Sequence, residues 1–297
     1  MINVTLKQLR YFEALAQHRH FGQAASACSI SQPALSVQIR ELEAELGQPL
    51  VERGPRQVRL TAFGETVLAR VQGVLRQVDE LGDFARSARG SMMERLRLGI
   101  IPTIAPYLLP RLIGHMALEL PDLAVQVRET LTPRLVEELQ EARIDAAILA
   151  LPISEPSLTE VPLFDESFVF VRPKEDAEKP VPDGETLAQM RLLLLEEGHC
   201  FRDQALSFCR TGSAVPRDGL DGSSLTTLVQ MVGVGLGVTL IPEMAVRVEA
   251  GSAPVSVARF AEPQPKRTIG MVWRKSSPMD AQFRRISEVV RKVGTSA

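Results

Sequence analysis

Ser29-Ile30-Ser31-Gln32-Pro33-Ala34-Leu35-Ser36-Val37-Gln38-Ile39-Arg40-Glu41-Leu42-Glu43-Ala44-Glu45-Leu46-Gly47 reads as a turn, a capped helix and a stop. Ser31 is a good N-cap, Pro33 suits a first helical turn, and Gly47 suits a helix end. Leu35, Ile39, Leu42 and Leu46 recur at helical spacing and make one apolar face, while Gln32, Ser36 and Arg40 share the other. Upstream, Leu6, Leu9, Phe12 and Leu15 mark a first helix. After His18-Arg19-His20, residues Phe21, Ala24, Ala25 and Cys28 mark a short second one with a small-residue face, to which Cys28 belongs. Three short helices with a tight turn before the third form a helix-turn-helix. That motif sets the start of its last helix against base edges in the major groove, where Gln pairs with adenine, Arg with guanine and Ser with either. The competing reading is a small bundle whose Gln32, Ser36 and Arg40 only face water.

The next stretch favours the first reading. Val51 to Leu60 reads as two short strands around Gly54-Pro55, with Arg53, Arg56 and Arg59 on or beside them. A basic hairpin after a helix-turn-helix is a wing, and its arginines suit phosphates or the minor groove. Thr61 then caps a long helix. Phe63, Val67, Val71, Val74, Val78, Leu81 and Ala85 repeat every three or four residues over about 33 Å of helix. Such a stripe exceeds what one small domain buries. It predicts a coiled-coil-type dimer seam, with packing on its own domain as the alternative.

The chain has 297 residues, 45% of them hydrophobic and 24% charged, the balance of a globular protein rather than a disordered one. Residues 1–90 carry 11 Lys and Arg against 9 Asp and Glu; the remainder carries 23 against 27. A mildly basic front permits nucleic-acid binding without demanding it. Met1 to Arg10 lacks the layout of a signal peptide, and the apolar runs are too short to span a bilayer, so a cytoplasmic protein is expected. Three cysteines in that compartment argue for thiols reduced at rest.

Beyond a hinge signal at Gly90-Ser91 the pattern becomes strand–helix alternation, the signature of α/β units. Strands are predicted at 96–101, 125–129, 146–149, 168–171, 192–195, 238–241 and 268–273. Helices are predicted at 107–118, 133–142, 224–232 and 281–293. Thr103, Thr132 and His199-Cys200 each follow a predicted strand, where open α/β sheets hold ligands, so they could share one cleft. Gly233, Gly235 and Gly237 read as a tight helix-to-strand turn rather than a phosphate loop. No CxxC pair occurs and the four His are scattered, so no metal and no cofactor is expected.

Gly198-His199-Cys200-Phe201-Arg202-Asp203-Gln204-Ala205-Leu206-Ser207-Phe208-Cys209 holds the other two cysteines. Beside His199 and Arg202, Cys200 is placed to lose its proton, and a thiolate attacks peroxides and disulfides. Cys209 is close enough in sequence to condense with an oxidised Cys200. A short helix is predicted from Arg202 to Cys209. Nine residues of helix separate two Cα atoms by about 13 Å, whereas a disulfide needs about 4.4–6.8 Å, so such a bond would require unwinding. The plain alternative is a pair of buried core cysteines, which suits Cys209 beside Phe208 better than Cys200 among polar neighbours.

Residues 1–90 resemble the DNA-binding region and linker helix of the LysR-type transcriptional regulators. The resemblance is carried by Phe21-Gly22-Gln23-Ala24-Ala25, Ser31-Gln32-Pro33-Ala34-Leu35-Ser36, Ile39-Arg40-Glu41-Leu42-Glu43 and Arg59-Leu60-Thr61. Residues 91–297 resemble the effector domain of a peroxide-sensing branch of that family, through Gly198-His199-Cys200 to Cys209, Ile101-Pro102-Thr103, Thr132 and Arg267-Thr268-Ile269-Gly270. The resemblance implies an α+β chain. A winged helix-turn-helix (1–60) and a linker helix with hinge (61–90) would precede a two-subdomain α/β, periplasmic-binding-protein-like effector domain (91–297). Its subdomain I would be 91–163 with 267–297, and subdomain II 164–266.

The resemblance also implies roles. Cys200 would be the peroxidatic thiol and Cys209 the resolving one. Thr103, Thr132 and His199 would line the peroxide pocket, and Arg202 and Arg267 would tune charge beside Cys200. Gln32, Pro33, Ser36, Arg40, Arg53 and Arg56 would meet DNA. Phe201 stands where leucine is expected, a change of packing rather than chemistry. The implied partners are double-stranded DNA with two-fold-related half-sites, hydrogen peroxide as signal, a homodimer or homotetramer, RNA polymerase and a cellular dithiol reductant. Two other readings stay open at this point: a regulator of this family that answers to a small organic metabolite, and a thiol peroxidase.

Overall fold

The computed structural model describes residues 3–53, 58–87, 93–208 and 221–295. It divides into two compact units, Met1–Ala85 and Arg86–Ala297. In the first, helices α1 (Leu6–His18), α2 (Phe21–Ala27) and α3 (Gln32–Leu46) are followed by strands β1 (Val51–Arg53) and β2 (Val58–Leu60) and helix α4 (Ala62–Ser87). The Ser31 hydroxyl accepts the Ala34 amide at the start of α3, and Gly47 closes it at φ 75°. Leu35, Ile39 and Leu42 are buried against Phe12, Leu15, Ala24 and Ala25, as their spacing predicts. Glu43 accepts the amides of Leu50 and Val51 and fixes the entry to the antiparallel β1–β2 pair. The Val58 amide donates to the Arg19 carbonyl, tying that pair to the end of α1. Thr61 caps α4 by accepting the Gly64 amide.

Helix α4 divides its stripe. Val71 and Leu75 are buried in the core of their own unit, with Phe63, Val67 and Leu68 packed against it. Val74, Leu81 and Phe84 are 42%, 68% and 60% exposed. The expected seam is thus corrected in its proximal half: Val67 and Val71 serve intradomain packing, and the unburied apolar surface begins beyond them.

The second unit opens with β3 (Arg95–Ile100), α5 (Ala105–Glu119), β4 (Ala124–Glu129), α6 (Thr132–Gln140), β5 (Ala146–Leu151) and β6 (Leu158–Pro173). There follow α7 (Gly184–Gln189), β7 (Leu194–Leu195), α8 (Cys200–Phe208), β8 (Asp221–Gly222), α9 (Leu225–Gly233), β9 (Thr239–Pro242) and α10 (Val246–Glu249). β10 (Val255–Arg259), β11 (Lys266–Arg274) and α11 (Asp280–Thr295) complete it. The main sheet runs β10-β6-β11-β5-β3-β4, and β9 also pairs with β6. β3 is parallel to β4 and β5, while β11 is antiparallel to β5 and β6.

Two apolar cores lie along this sheet. One joins β3, β5 and β11 to α5, α6 and α11; the other joins Phe168–Val171 of β6 to α9, β9 and Phe201. β6 passes from one to the other. Its first half pairs with β11 and its second half with β9 and β10. The sequence predicted only 168–171 as strand. Pro162, Asp165 and Glu166 interrupt the apolar run before it, and pairing with a strand about a hundred residues later overrides that local signal. Gly237 fits the predicted tight turn: a Cβ there would lie 2.4 Å from the Arg191 carbonyl oxygen. Among the described residues no helix is long and apolar enough to cross a membrane.

Candidate functional site: the start of helix α8

Helix α8 begins at Cys200, two residues earlier than predicted, and this shift decides where its side chains go. Gly198 turns the chain into the helix at φ +95°, a conformation that favours glycine, and a Cβ there would lie 3.1 Å from Leu131 Cδ1. The turn therefore sits against the residue that precedes α6. Thr132, the first residue of α6, has a buried Oγ1 with no hydrogen-bond partner among the described residues. A buried hydroxyl left so is expected to have a function or a bound molecule to satisfy it.

Cys200 is half-buried and packs against the first core, whereas Phe201 is buried in the second. The Phe201 ring meets Phe168 edge-on at 4.8 Å between centroids, and the Arg267 guanidinium lies 5.7 Å from its centre. Arg267 donates Nη1 to Thr103 Oγ1 at 2.8 Å and Nη2 to the Thr103 carbonyl at 3.0 Å. Its Nε donates to Glu166 Oε2 at 2.7 Å, and the other oxygen of Glu166 accepts the Met244 amide. Glu166 and Arg267 face each other directly across the β6–β11 ladder. The β3–α5 turn, the β6–β11 pair, the start of α6 and the start of α8 thus converge on one place.

Two electrostatic expectations change here. Arg202 lies two residues into the helix, and positions i and i+2 do not share a helical face. Its Nη1 donates to the Leu195 carbonyl at 2.7 Å and pairs with Asp221 at 2.9 Å, so its charge is committed away from Cys200. Burial pushes the His199 imidazole below its ordinary pKa, only partly opposed by the Glu196 carboxylate, which favours the neutral ring near pH 7. What the fold does offer an anion at Cys200 is the amide end of a helix, where negative charge is favoured. Gln204, one turn on and on the Cys200 face, was not foreseen; its Oε1 is buried without a partner among the described residues. Glu166 was also missed, because its segment did not read as strand. Cys28 is distinct: it caps the end of α2, and burial pushes its thiol up, away from the thiolate.

In the first unit, Gln32, Pro33 and Arg40 are exposed on α3 and Ser36 is half-buried on the same helix. Arg53 ends β1. Arg56 and Cys209, and the Gly90-Ser91 hinge signal, lie outside the described residues.

Residues 6–65 match the model for bacterial regulatory helix-turn-helix proteins of the lysR family, and residues 89–295 match the LysR substrate binding domain. The chain belongs to the LysR family. Among the relatives of this LysR-family chain is a probable hydrogen peroxide-inducible genes activator of Streptomyces viridosporus. It is 42% identical over 293 residues, covering 97% of this chain and 94% of the relative. A full-length OxyR variant from Pseudomonas aeruginosa superposes with a TM-score of 0.72 at 38% identity, covering 97% of this chain and 95% of that one. A peroxide-bound OxyR variant from Corynebacterium glutamicum gives 0.69 at 36% identity, covering 99% and 94%. The winged helix-turn-helix and two-core α/β effector unit are the architecture of this family.

Proposed function

We propose that this chain is a hydrogen-peroxide-sensing transcription regulator, switched by a reversible Cys200–Cys209 disulfide and controlling antioxidant genes. The observation that carries the reading is Cys200 at the head of α8, between Gly198 and Phe201. Gly198 lies against Leu131, next to the Thr132 hydroxyl that has no partner among the described residues, and Phe201 meets Arg267, which clamps Thr103. The naming of relatives at about 40% identity as peroxide-inducible activators supports it.

The chemistry balances in two steps. The Cys200 thiolate attacks one peroxide oxygen, the O–O bond breaks, and hydroxide leaves to take a proton as water. The resulting sulfenic acid is attacked by the Cys209 thiol, which forms the S–S bond and releases a second water. A cellular dithiol returns both sulfurs to thiols by exchange. Thr103, Thr132, neutral His199 and Gln204 surround the reacting oxygens with hydrogen-bond groups.

Helix α8 rises about 12 Å from Cys200 to Phe208, and one further residue recovers at most about 3.8 Å of it. A disulfide from Cys200 to Cys209 is therefore incompatible with the intact helix. Opening it pulls Phe201 and Ala205 out of the second core, where Phe168 and Val229 now pack. Hydrogen exchange tests this directly. One equivalent of peroxide is expected to lose amide protection over 201–208, and a dithiol to restore it. Unchanged protection in a fully oxidised sample would sink the switch.

On DNA, a dimer or pair of dimers reads two related half-sites through α3, with Gln32, Ser36 and Arg40 toward bases and Arg53 and Arg56 toward phosphates. RNA polymerase is the partner such a regulator acts on. Gln32→Ala is expected to lose about 1–3 kcal/mol of discrimination at one base pair, measured as the ratio of specific to random-DNA affinity. An unchanged ratio would mean α3 is docked differently.

A further inference from the structure

We infer that Glu166 is a positioning residue for the peroxide reaction, acting through Arg267 to make Thr103 a hydrogen-bond donor at the site. The inference rests on the reading of Cys200 as the peroxide-reactive thiol. Arg267 and Glu166 are the most deeply buried ion pair at this place, with side chains 0% and 5% exposed. A guanidinium only donates, so the Arg267–Thr103 bond has one possible direction: Thr103 Oγ1 accepts. A hydroxyl has a single hydrogen, which must then point off that axis, and Thr103 has no acceptor for it among the described residues. The second Arg267 bond, to the Thr103 carbonyl, holds side chain and backbone of the same residue together and fixes the rotamer. A hydroxyl so held presents its hydrogen to a peroxide oxygen, the polarisation that bond breaking needs.

Glu166 sets where Arg267 stands. It accepts on both oxygens, from Arg267 Nε on one side and the Met244 amide on the other. A carboxylate can do this; an amide of the same shape cannot, because one of its two groups is a donor facing a donor. Glu166→Gln therefore keeps the volume and loosens the clamp. Cross-strand placement opposite Arg267 holds the pair in register along the ladder.

The test is a double-variant cycle on the full chain, reading the second-order rate of Cys200 oxidation by hydrogen peroxide at the alkaline plateau of its pH profile. Thr103→Val is expected to slow the step roughly tenfold or more, the order expected when one oriented group is lost. Glu166→Gln is expected to slow it comparably, and Glu166→Gln in the Thr103→Val background to slow it no further. A purely structural role for Glu166 would instead multiply with Thr103→Val. Glu166→Asp, which keeps the charge but draws it back, is expected to behave like Glu166→Gln in the same cycle and serves if the latter does not fold. Multiplicative effects, or a Glu166→Gln rate equal to the parent beside a slowed Thr103→Val, overturn the proposal alone. A parent Cys200 no faster than Cys28 overturns it together with the sensor reading.

Discussion

Cys200→Ser is expected to abolish the peroxide response while leaving the folded chain and its DNA binding in place. A serine hydroxyl is not ionised near pH 7 and offers no sulfur to oxidise, so neither the sulfenic acid nor the disulfide can form. The site tolerates the change structurally, since Cys200 is only half-buried and its thiol is free. The stability cost should be near the ordinary size of a single substitution, about 1 kcal/mol. Cys209→Ser separates the two steps: it should consume one peroxide and stop at the sulfenic acid, prone to further oxidation. Cys28→Ser should respond as the parent does, because that thiol ends α2 in the other unit and burial shifts it toward the protonated form. The measurement is the DNA footprint before and after peroxide. A Cys200→Ser variant that still shifts its footprint would hand the effector cleft to a metabolite.

The second large effect is expected at the far end of α4. Leu81 and Phe84 are mostly exposed, while Val71 is buried within its own unit. If the exposed surface is the dimer seam, Leu81→Asp with Phe84→Asp places two charges where the partner would desolvate them. Dimer association should weaken by at least about a hundredfold, near 3 kcal/mol, with the winged unit still folded. Val71→Asp should differ in kind: it places a charge in the unit's own core and should unfold it. Light scattering and circular dichroism on the two variants distinguish these outcomes. A double variant that stays dimeric and binds a two-half-site operator normally would move the seam elsewhere.

How much of this was legible in sequence follows from how local each signal is. The helix-turn-helix was readable because its cap, its stop and its apolar spacing all lie within about twenty residues, and Ser31, Gly47 and Leu35–Leu42 fold as their types dictate. The stripe on α4 was readable as apolar, but periodicity reports only that a face is buried, not by what. β6 was half missed because its partner β11 is remote in sequence, and Glu166 was missed with it. Arg202 was misplaced for a smaller reason. With the helix begun at Arg202, His199, Cys200 and Arg202 could gather in a turn. Begun at Cys200, the same helix sends the arginine to Leu195 and Asp221. The role of Arg267 came from family resemblance alone; its clamp on Thr103 needed the fold.

The redox switch stands most directly on which sulfurs join. Peptide mapping by mass spectrometry, after one equivalent of hydrogen peroxide on the full reduced chain, measures that. The expected product links the peptides of Cys200 and Cys209, leaves Cys28 as a free thiol, and returns to three thiols with a dithiol. A chain that switches its footprint while Cys200 and Cys209 stay unlinked, or that joins either of them to Cys28 instead, would contradict it.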